Sequence, residues 1–248
     1  MGTQSILITR SDVIQKLREL DASVFQDVVN NIKVGRFKRS EVSKDYQDRM
    51  TYTRELRRFV YNPAVLDLVF SDGTLKESFF RTFGYTGQMD FTIYPSCWLR
   101  DIPLLDFGKG VYMGDGIVLG TNQVSVDQKS IRVGSIKIGD KSIFDQRCVI
   151  GYSSSIGSNC IVGFQVIFGL KCCIGNYSKI GGLSRIEHNV SIGNNVVIGP
   201  ASKIGSFVII DDNISLPEFS SIASFSHVTK EGVFNRRNNP VFEVQVKS

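Results

Sequence analysis

The sequence predicts a mainly β fold in which a parallel β-helix follows a small α-helical N-terminal region. A large aliphatic residue or Phe stands at every sixth position from Ile138 to Ile222, through fifteen consecutive hexads. A small or β-branched residue follows four positions later, as Ser142 and Cys148 do. A period of six fits neither an alternating sheet strand nor an amphipathic helix. It describes a short strand followed by a corner, repeated along the chain.

The spacing within each hexad predicts which side chains point inward. The aliphatic residue and the small residue are four positions apart, so both lie on the same side of an extended strand. Gly follows the aliphatic residue in ten hexads, at a position where we expect the chain to turn and a Cβ to be costly. Three strands close one triangular coil, and coils stack at roughly 4.8 Å. Fifteen hexads therefore make five coils.

A less regular coil precedes the repeat. The pairs Phe107-Gly108, Met113-Gly114 and Leu119-Gly120 supply three earlier hexads. Nineteen residues separate Leu119 from Ile138, one more than the eighteen of a whole coil. We therefore expect a bulge or small excursion between residues 121 and 137 that absorbs one extra residue.

The first part of the chain has helical spacing. Ser11-Asp12 predicts an N-cap, and apolar residues then recur at helical intervals up to Val29. A second helical pattern covers about 43–61 and ends before Pro63, and a third covers 64–83 with a break at Gly73. The predicted domains are an α-helical region at 1–92, the β-helix at 93–227 and a closing segment at 228–248.

Composition narrows the class of protein. The chain has 248 residues and a formal charge of +5. It has no run of eighteen apolar residues and no signal peptide, so we expect a cytoplasmic protein without a membrane partner. Cys148, Cys160 and Cys172 occupy the small inward position and read as core residues. No CxxC pair or Cys/His cluster is present, so we expect no metal.

Basic residues are concentrated between positions 33 and 58, where nine Lys or Arg face four Asp or Glu. One interpretation is a solvated helix face. The other is a patch that steers anionic substrates such as nucleotide sugars or coenzyme A. No aromatic interleaving or RNA-binding motif accompanies the patch, so we expect no nucleic-acid partner.

The hexad itself resembles the repeat of the hexapeptide-repeat acyltransferases, in which an aliphatic residue precedes Gly, Ala, Glu or Asp, two free positions and a small residue. The resemblance covers residues 107–248 and is closest to the bacterial sugar O- and N-acetyltransferases. It implies a left-handed β-helix. It also implies an acyltransferase that takes acetyl-CoA as donor and a sugar, a nucleotide sugar or a similar small polar molecule as acceptor.

The segment from Ile186 to Gly193 resembles the stretch that carries the catalytic histidine of the N-acyltransferase of lipid A synthesis and of the sugar acetyltransferases. The resemblance assigns His188 as general base, with Glu187 and Asn189 beside it in the predicted catalytic group. Two alternatives stay open. His188 is otherwise a solvated corner residue, and the acid that supports it comes from Glu187 or from a neighbouring subunit. Stacking by eighteen residues places Leu170 below His188 and Ser206 above it.

The C-terminal segment from His227 to Val233, with Asn239-Pro240-Val241, resembles the closure of acetyl-CoA-dependent members. This resemblance implies that long cationic side chains meet the phosphates of the coenzyme. The predicted cofactor-binding residues are Gly205, Ser206, Ser224, Lys230, Arg236 and Arg237. Asn238 replaces the usual Gly of this closure, and His227 is expected to be an exposed residue of a terminal loop.

Outward positions of the hexads are unusually apolar and predict a homotrimer with sites lined by two chains. They include Ile143, Val149, Ile161, Ile167, Val197 and Ile209. The alternative to an enzyme is a non-catalytic trimeric β-helix that serves as a scaffold or binding module. A carbonic anhydrase on this fold needs three metal-binding histidines, and the chain has two.

Overall fold

The computed structural model describes residues 9–235. Five α-helices form most of the N-terminal region: α1 (Arg10–Asp21), α2 (Phe25–Asn30), α3 (Lys44–Val60), α4 (Pro63–Ser71) and α5 (Gly73–Thr82). A 3-10 turn covers Ile102–Leu104. No helix within residues 9–235 is both long enough and apolar enough to cross a bilayer.

The strands are short and follow one another at the hexad period. In chain order they are β1 (Gly35–Lys38), β2 (Phe91–Ile93), β3 (Leu105–Phe107), β4 (Val111–Met113), β5 (Val118–Gly120), β6 (Asn122–Val124), β7 (Ser130–Val133), β8 (Ile136–Ile138), β9 (Ile143–Phe144), β10 (Val149–Gly151), β11 (Ser154–Ile156), β12 (Ile161–Val162), β13 (Ile167–Phe168), β14 (Cys173–Ile174), β15 (Lys179–Ile180), β16 (Arg185–Ile186), β17 (Ser191–Ile192), β18 (Val197–Ile198), β19 (Lys203–Ile204), β20 (Ile209–Ile210), β21 (Ser215–Leu216), β22 (Ser221–Ile222), β23 (Ser226–Thr229) and β24 (Gly232–Asn235).

Three parallel sheets form the faces of a β-helix, which confirms the predicted mainly β fold class. Face 1 contains β3, β8, β11, β14, β17, β20 and β23, with β24 added antiparallel at its end. Face 2 contains β2, β4, β9, β12, β15, β18 and β21, and face 3 contains β5, β10, β13, β16, β19 and β22. The chain runs from face 1 to face 2 to face 3 and back. We call one step along a face a rung.

The predicted inward residues form the core. All fifteen aliphatic positions from Ile138 to Ile222 are at most 5% exposed. Cys148, Cys160 and Cys172 are completely buried, as predicted. Inward hydroxyls are satisfied by the next coil, since Ser142 Oγ donates to the Gly157 carbonyl and accepts from the Cys160 N–H. Within residues 9–235, the buried side-chain nitrogen and oxygen atoms that lack a hydrogen-bond partner all lie in the helical region and not in this interior.

The backbone conformation at the corners differs from the expectation. The left-handed residue is the third after the aliphatic one in every hexad, from Lys141 (φ 55°) to Phe225 (φ 65°). None of the glycines that directly follow the aliphatic residues has positive φ. These glycines are required by close approach instead, because a Cβ on Gly175 would lie 2.5 Å from the carbonyl carbon of Gly193 in the next coil.

The expected one-residue bulge after Leu119 is wrong. Leu119 stacks on Ile150, and Phe107 stacks on Ile138. Both intervals are thirteen residues longer than a coil. The extra residues form the β6–β7 hairpin, and β7 pairs antiparallel with β1 of the N-terminal region. The hairpin therefore joins the helical region to the first coil of the β-helix.

The helices match the predicted pattern with two changes. The N-cap of α1 is Thr9 rather than Ser11, because Thr9 and Asp12 form a reciprocal capping box. The first helical stretch breaks after Asp21 into α1 and α2. Asp72 caps α5 through the amides of Thr74 and Leu75. The helical core is continuous with that of the β-helix, and the predicted domain boundaries stay a prediction.

Candidate functional site

His188 lies on the corner between β16 of face 3 and β17 of face 1, and its side chain is exposed. The predicted stacking is confirmed. The Leu170 N–H donates to His188 Nδ1 at 2.9 Å, and the Phe207 N–H donates to the His188 carbonyl at 2.9 Å. A Cβ on Gly169 would lie 2.5 Å from His188 Nδ1, so the glycine below the ring gives it room.

The hydrogen bond at Nδ1 determines which tautomer of His188 is present. An acceptor at Nδ1 leaves the proton of the neutral ring on Nε2. The same bond recurs at equivalent corner positions, where Asn176 Oδ1 accepts from the Ser158 N–H and Asn194 Oδ1 accepts from the Asn176 N–H, each at 2.8 Å. His188 therefore occupies a position that stabilises the stacking of successive coils, and its Nε2–H points away from that bond.

The two predicted neighbours of His188 have other contacts. The Glu187 carboxylate accepts from Arg185 Nε at 2.7 Å, so it is held toward β16 and away from the imidazole. Asn189 has the left-handed backbone of the corner (φ 57°), a conformation that Asn tolerates well. Within the described chain, the structure thus places no carboxylate in a hydrogen bond with the His188 ring.

Three of the predicted cofactor residues lie on the same corner as His188. Gly205 and Ser206 are one rung above it, and Ser224 is two rungs above, where its Oγ accepts from the Ser206 N–H at 3.1 Å. Phe207 and Phe225 stack beside them with ring centroids 4.9 Å apart and planes 5° apart. This corner therefore combines hydroxyls, an open backbone and a flat apolar surface.

Cationic side chains lie next to this corner. Arg185 and Lys203 are register neighbours on face 3, and both point outward. Lys230 is elsewhere, in the turn between β23 and β24 at the other end of face 1, where it lines an open cleft with Asp211, Asp212 and Glu231. Arg236 and Arg237 lie outside the described residues, as do Asn239, Pro240 and Val241.

A second histidine site was missed by the sequence reasoning. His227 is not in a loop but in β23, where it is the register partner of Ile209. Its Nε2 lies 2.7 Å from Asp211 Oδ1. The signal was present, because Val228 continues the period of six beyond Ile222 and makes His227 an outward strand residue. Among residues 9–235, no group of three His, Cys, Asp or Glu is arranged to hold a metal.

A comparison of the sequence with models of protein families gives a match in the middle of the β-helix. Residues 172–206 match the family described as bacterial transferase hexapeptide (six repeats), and this segment includes His188. The match identifies the repeat of this segment. No curated protein matches it in sequence.

The hexapeptide β-helix is also similar to solved structures. One is a UDP-N-acetylglucosamine acyltransferase from Bacteroides fragilis, with 18% identity, 60% of this chain and 58% of that chain covered, and a TM-score of 0.30. Another is PerB from Caulobacter crescentus in complex with CoA and GDP-perosamine, with 12% identity, 61% and 57% coverage, and a TM-score of 0.24. A third is serine acetyltransferase from Neisseria gonorrhoeae, with 16% identity, 96% and 68% coverage, and a TM-score of 0.21. The matched part thus spans less than two thirds of the first two proteins.

Proposed function

We propose that the chain is an acyltransferase that moves an acetyl group from acetyl-CoA to a hydroxyl or amine of a sugar, a nucleotide sugar or a similar small polar acceptor. One observation carries the proposal: the segment that matches the transferase hexapeptide holds His188 on an exposed corner, with Gly205 and Ser206 one rung above. A histidine beside an approachable backbone is the arrangement that base-assisted acyl transfer requires.

The surroundings of this corner suit the acyl donor. Coenzyme A carries phosphates, a flat adenine ring and a long thin arm. Lys203 supplies positive charge one rung above the ion pair of Arg185 with Glu187, and the stacked Phe207 and Phe225 offer a planar apolar surface. Within one chain Lys230 lies at the opposite end of face 1, so it contributes to this corner only if a neighbouring chain of the proposed homotrimer supplies it.

In the proposed reaction, the acceptor hydroxyl or amine gives its proton to the imidazole as its oxygen or nitrogen attacks the thioester carbonyl carbon. The carbon–sulfur bond breaks, and the departing thiolate takes the proton from the imidazolium, which yields the acetylated acceptor and coenzyme A. The Leu170 N–H occupies the lone pair of His188 Nδ1. This hydrogen bond has to break before Nδ1 can accept a proton from the acceptor. That exchange costs about 0.5–1.5 kcal/mol, the net value of one hydrogen bond, and is compatible with turnover.

His227 is the alternative base for the same reaction. When His227 Nε2 carries the proton and donates it to the Asp211 carboxylate, Nδ1 is free to accept a proton. This is the way in which an acid orients the imidazole of a catalytic triad. Asp211 also lines an open cleft with Asp212, Glu231 and Lys230, and the net negative charge of these four residues disfavours an anionic donor. His188 lies in the cationic corner and inside the matched hexapeptide segment, so we assign the base to His188.

The base assignment is tested with His188→Asn, because Asn176 and Asn194 make the same backbone bond at equivalent positions. The variant should keep the fold and lower kcat at least about a hundredfold, measured as coenzyme A thiol release over a panel of amino sugars and nucleotide sugars. His227→Asn is the matched control and should retain its rate. The reverse pattern would transfer the assignment to His227, and unchanged rates in both variants would exclude a histidine base.

Donor binding is tested by calorimetric titration with acetyl-CoA. We expect a dissociation constant in roughly the micromolar to millimolar range that weakens with salt. Lys203→Gln should weaken binding, whereas Lys179→Gln, which removes an equivalent outward charge from face 2, should not. Absence of binding at millimolar acetyl-CoA would favour the non-catalytic trimeric scaffold or binding module.

A further inference from the structure

A cavity of about 250 Å³ lies between α3, the β6–β7 hairpin and the start of face 3. Its volume is near the lower end of the roughly 300–1,000 Å³ of small-molecule sites. Four arginines and one acid line it: Arg39, Arg49, Arg57, Arg100 and Asp101. The excess of positive charge in a concave site favours an anionic occupant.

Arg49 is the buried element of this site. It is 6% exposed, and its Nη2 donates to both oxygens of Asp101 at 2.8 Å. Asp101 also accepts from Thr121 Oγ1 at 2.6 Å and from Asn122 Nδ2 at 2.8 Å, so its carboxylate is fully bonded. Arg49 Nη1 is buried and has no hydrogen-bond partner within the described part of the chain. A buried charged donor without a partner is costly, so an acceptor supplied by a ligand would complete it.

The wall of the cavity is a series of flat groups. The Arg57 guanidinium lies 5.3 Å from the ring centroid of Tyr61, and that of Arg100 lies 5.3 Å from Trp98. The Tyr61 and Trp98 rings are themselves 5.5 Å apart. Tyr61 is 52% exposed and Trp98 is 39% exposed, which leaves ring surface for a further planar group. Such surfaces bind nucleobases by stacking.

We propose that this cavity binds a nucleoside phosphate. The base stacks on the Tyr61 and Trp98 wall, and the phosphate accepts hydrogen bonds from Arg49 Nη1 and from Arg57. The site is separate from the His188 corner, because Val118 of β5, beside the cavity, is three rungs of face 3 below Arg185, roughly 14 Å away. The proposal does not depend on the acyl-transfer reaction.

Trp98 is the single tryptophan of the chain, so its fluorescence reports on this cavity alone. Titration with UDP, without any acyl donor, should quench Trp98 in a saturable manner, after correction with a free tryptophan analogue for absorption by the ligand. Arg57→Gln should weaken binding at least about tenfold, as expected for loss of a charge-assisted hydrogen bond. Arg58→Gln removes the same charge from the next position of α3, outside the cavity, and should change binding less than about twofold.

Several outcomes would overturn the proposal. One is the absence of saturable quenching at millimolar UDP. A second is equal weakening by the Arg57 and Arg58 substitutions, which would indicate unspecific attraction by α3. A third is that inorganic pyrophosphate displaces UDP and binds as tightly as UDP does, because the uracil ring would then contribute nothing to binding. A fourth is that a short single-stranded RNA binds more tightly than UDP. The cavity would then be part of a surface that binds nucleic acid rather than a site for a mononucleotide.

Discussion

In this β-helix, the reactivity of a side chain depends on whether it points into the core or outward. Cys172 and Cys173 are adjacent, yet the first is completely buried and the second is exposed. Burial raises the pKa of the Cys172 thiol to about 11, and it raises the pKa of Cys148 to about 11 as well. A raised thiol pKa means that the neutral, unreactive form dominates over a wider pH range.

Thiol labelling follows from this difference. At about pH 8, a thiol with a pKa of about 11 is roughly one part in a thousand thiolate, and the interior also excludes the reagent. We expect a thiol-reactive dye to modify Cys173 quickly in the native protein and all five cysteines after denaturation. Mass spectrometry of the labelled peptides identifies the sites. Rapid native labelling of Cys148 or Cys172 would mean that the coils open readily.

At the scale of the element, each two-residue strand of the β-helix contributes one inward and one outward side chain. Ile192 of β17 is 3% exposed, while its neighbour Ser191 is exposed. The β6–β7 hairpin is the exception to this plan, since it leaves the β-helix and pairs with β1. The regular strands are thus stabilised by the side chains that they bury in the core, whereas the hairpin is stabilised by backbone pairing with β1.

Substitution within β17 tests the assignment of the faces. Ile192→Asp places a charge in an apolar interior without a partner, which costs several kcal/mol, so we expect loss of the cooperative thermal transition. Ser191→Asp introduces the same side chain on the outward position of the same strand and should change the free energy of unfolding by less than about 1 kcal/mol. Circular dichroism during heating measures both. Equal melting temperatures for the two variants would show that the inward face is assigned wrongly.

At the scale of the whole molecule, the outer surface retains an apolar stripe. Ile143, Ile161 and Val197 of face 2 are 46%, 47% and 40% exposed, and Ile167 of face 3 is 38% exposed. Val149 and Ile209, also expected outside, are less exposed than these four residues. Lys179 interrupts this row on face 2 between Ile161 and Val197. Ile143 and Ile161 lie on adjacent rungs, and exposed apolar residues grouped in this way are typical of a surface that pairs with another protein surface.

We therefore keep the prediction of a homotrimer. Light scattering at micromolar concentration should give three times the 27.6 kDa mass of one chain. Ile161→Lys places a charge in the stripe without touching the interior and should lower the mass toward that of one chain, while circular dichroism stays unchanged. A wild-type mass of 27.6 kDa would contradict the trimer and the proposed two-chain site.

The sequence by itself determined the β-helix, its inward residues and the stacking of Leu170, His188 and Ser206. These follow from a strict period, because equal spacing along the chain fixes equal positions in successive coils. The sequence also implied a donor site at the corner of His188, and the structure places Gly205, Ser206 and Ser224 there but Lys230 at another corner.

Only the tertiary structure decided the features that join distant parts of the chain. The interval from Leu119 to Ile138 fits either one coil with a bulge or one hexad with a hairpin, and the choice depends on β1, far earlier in the sequence. The pairing of His227 with Asp211 depends on the last coil being completed by β23. The cavity gathers Arg49 from α3 and Trp98 from the first coil. Part of the positive charge of residues 33–58, that of Arg39, Arg49 and Arg57, therefore lines a pocket rather than a solvated helix face. Spacing determines local geometry, whereas packing between elements decides which local surfaces meet.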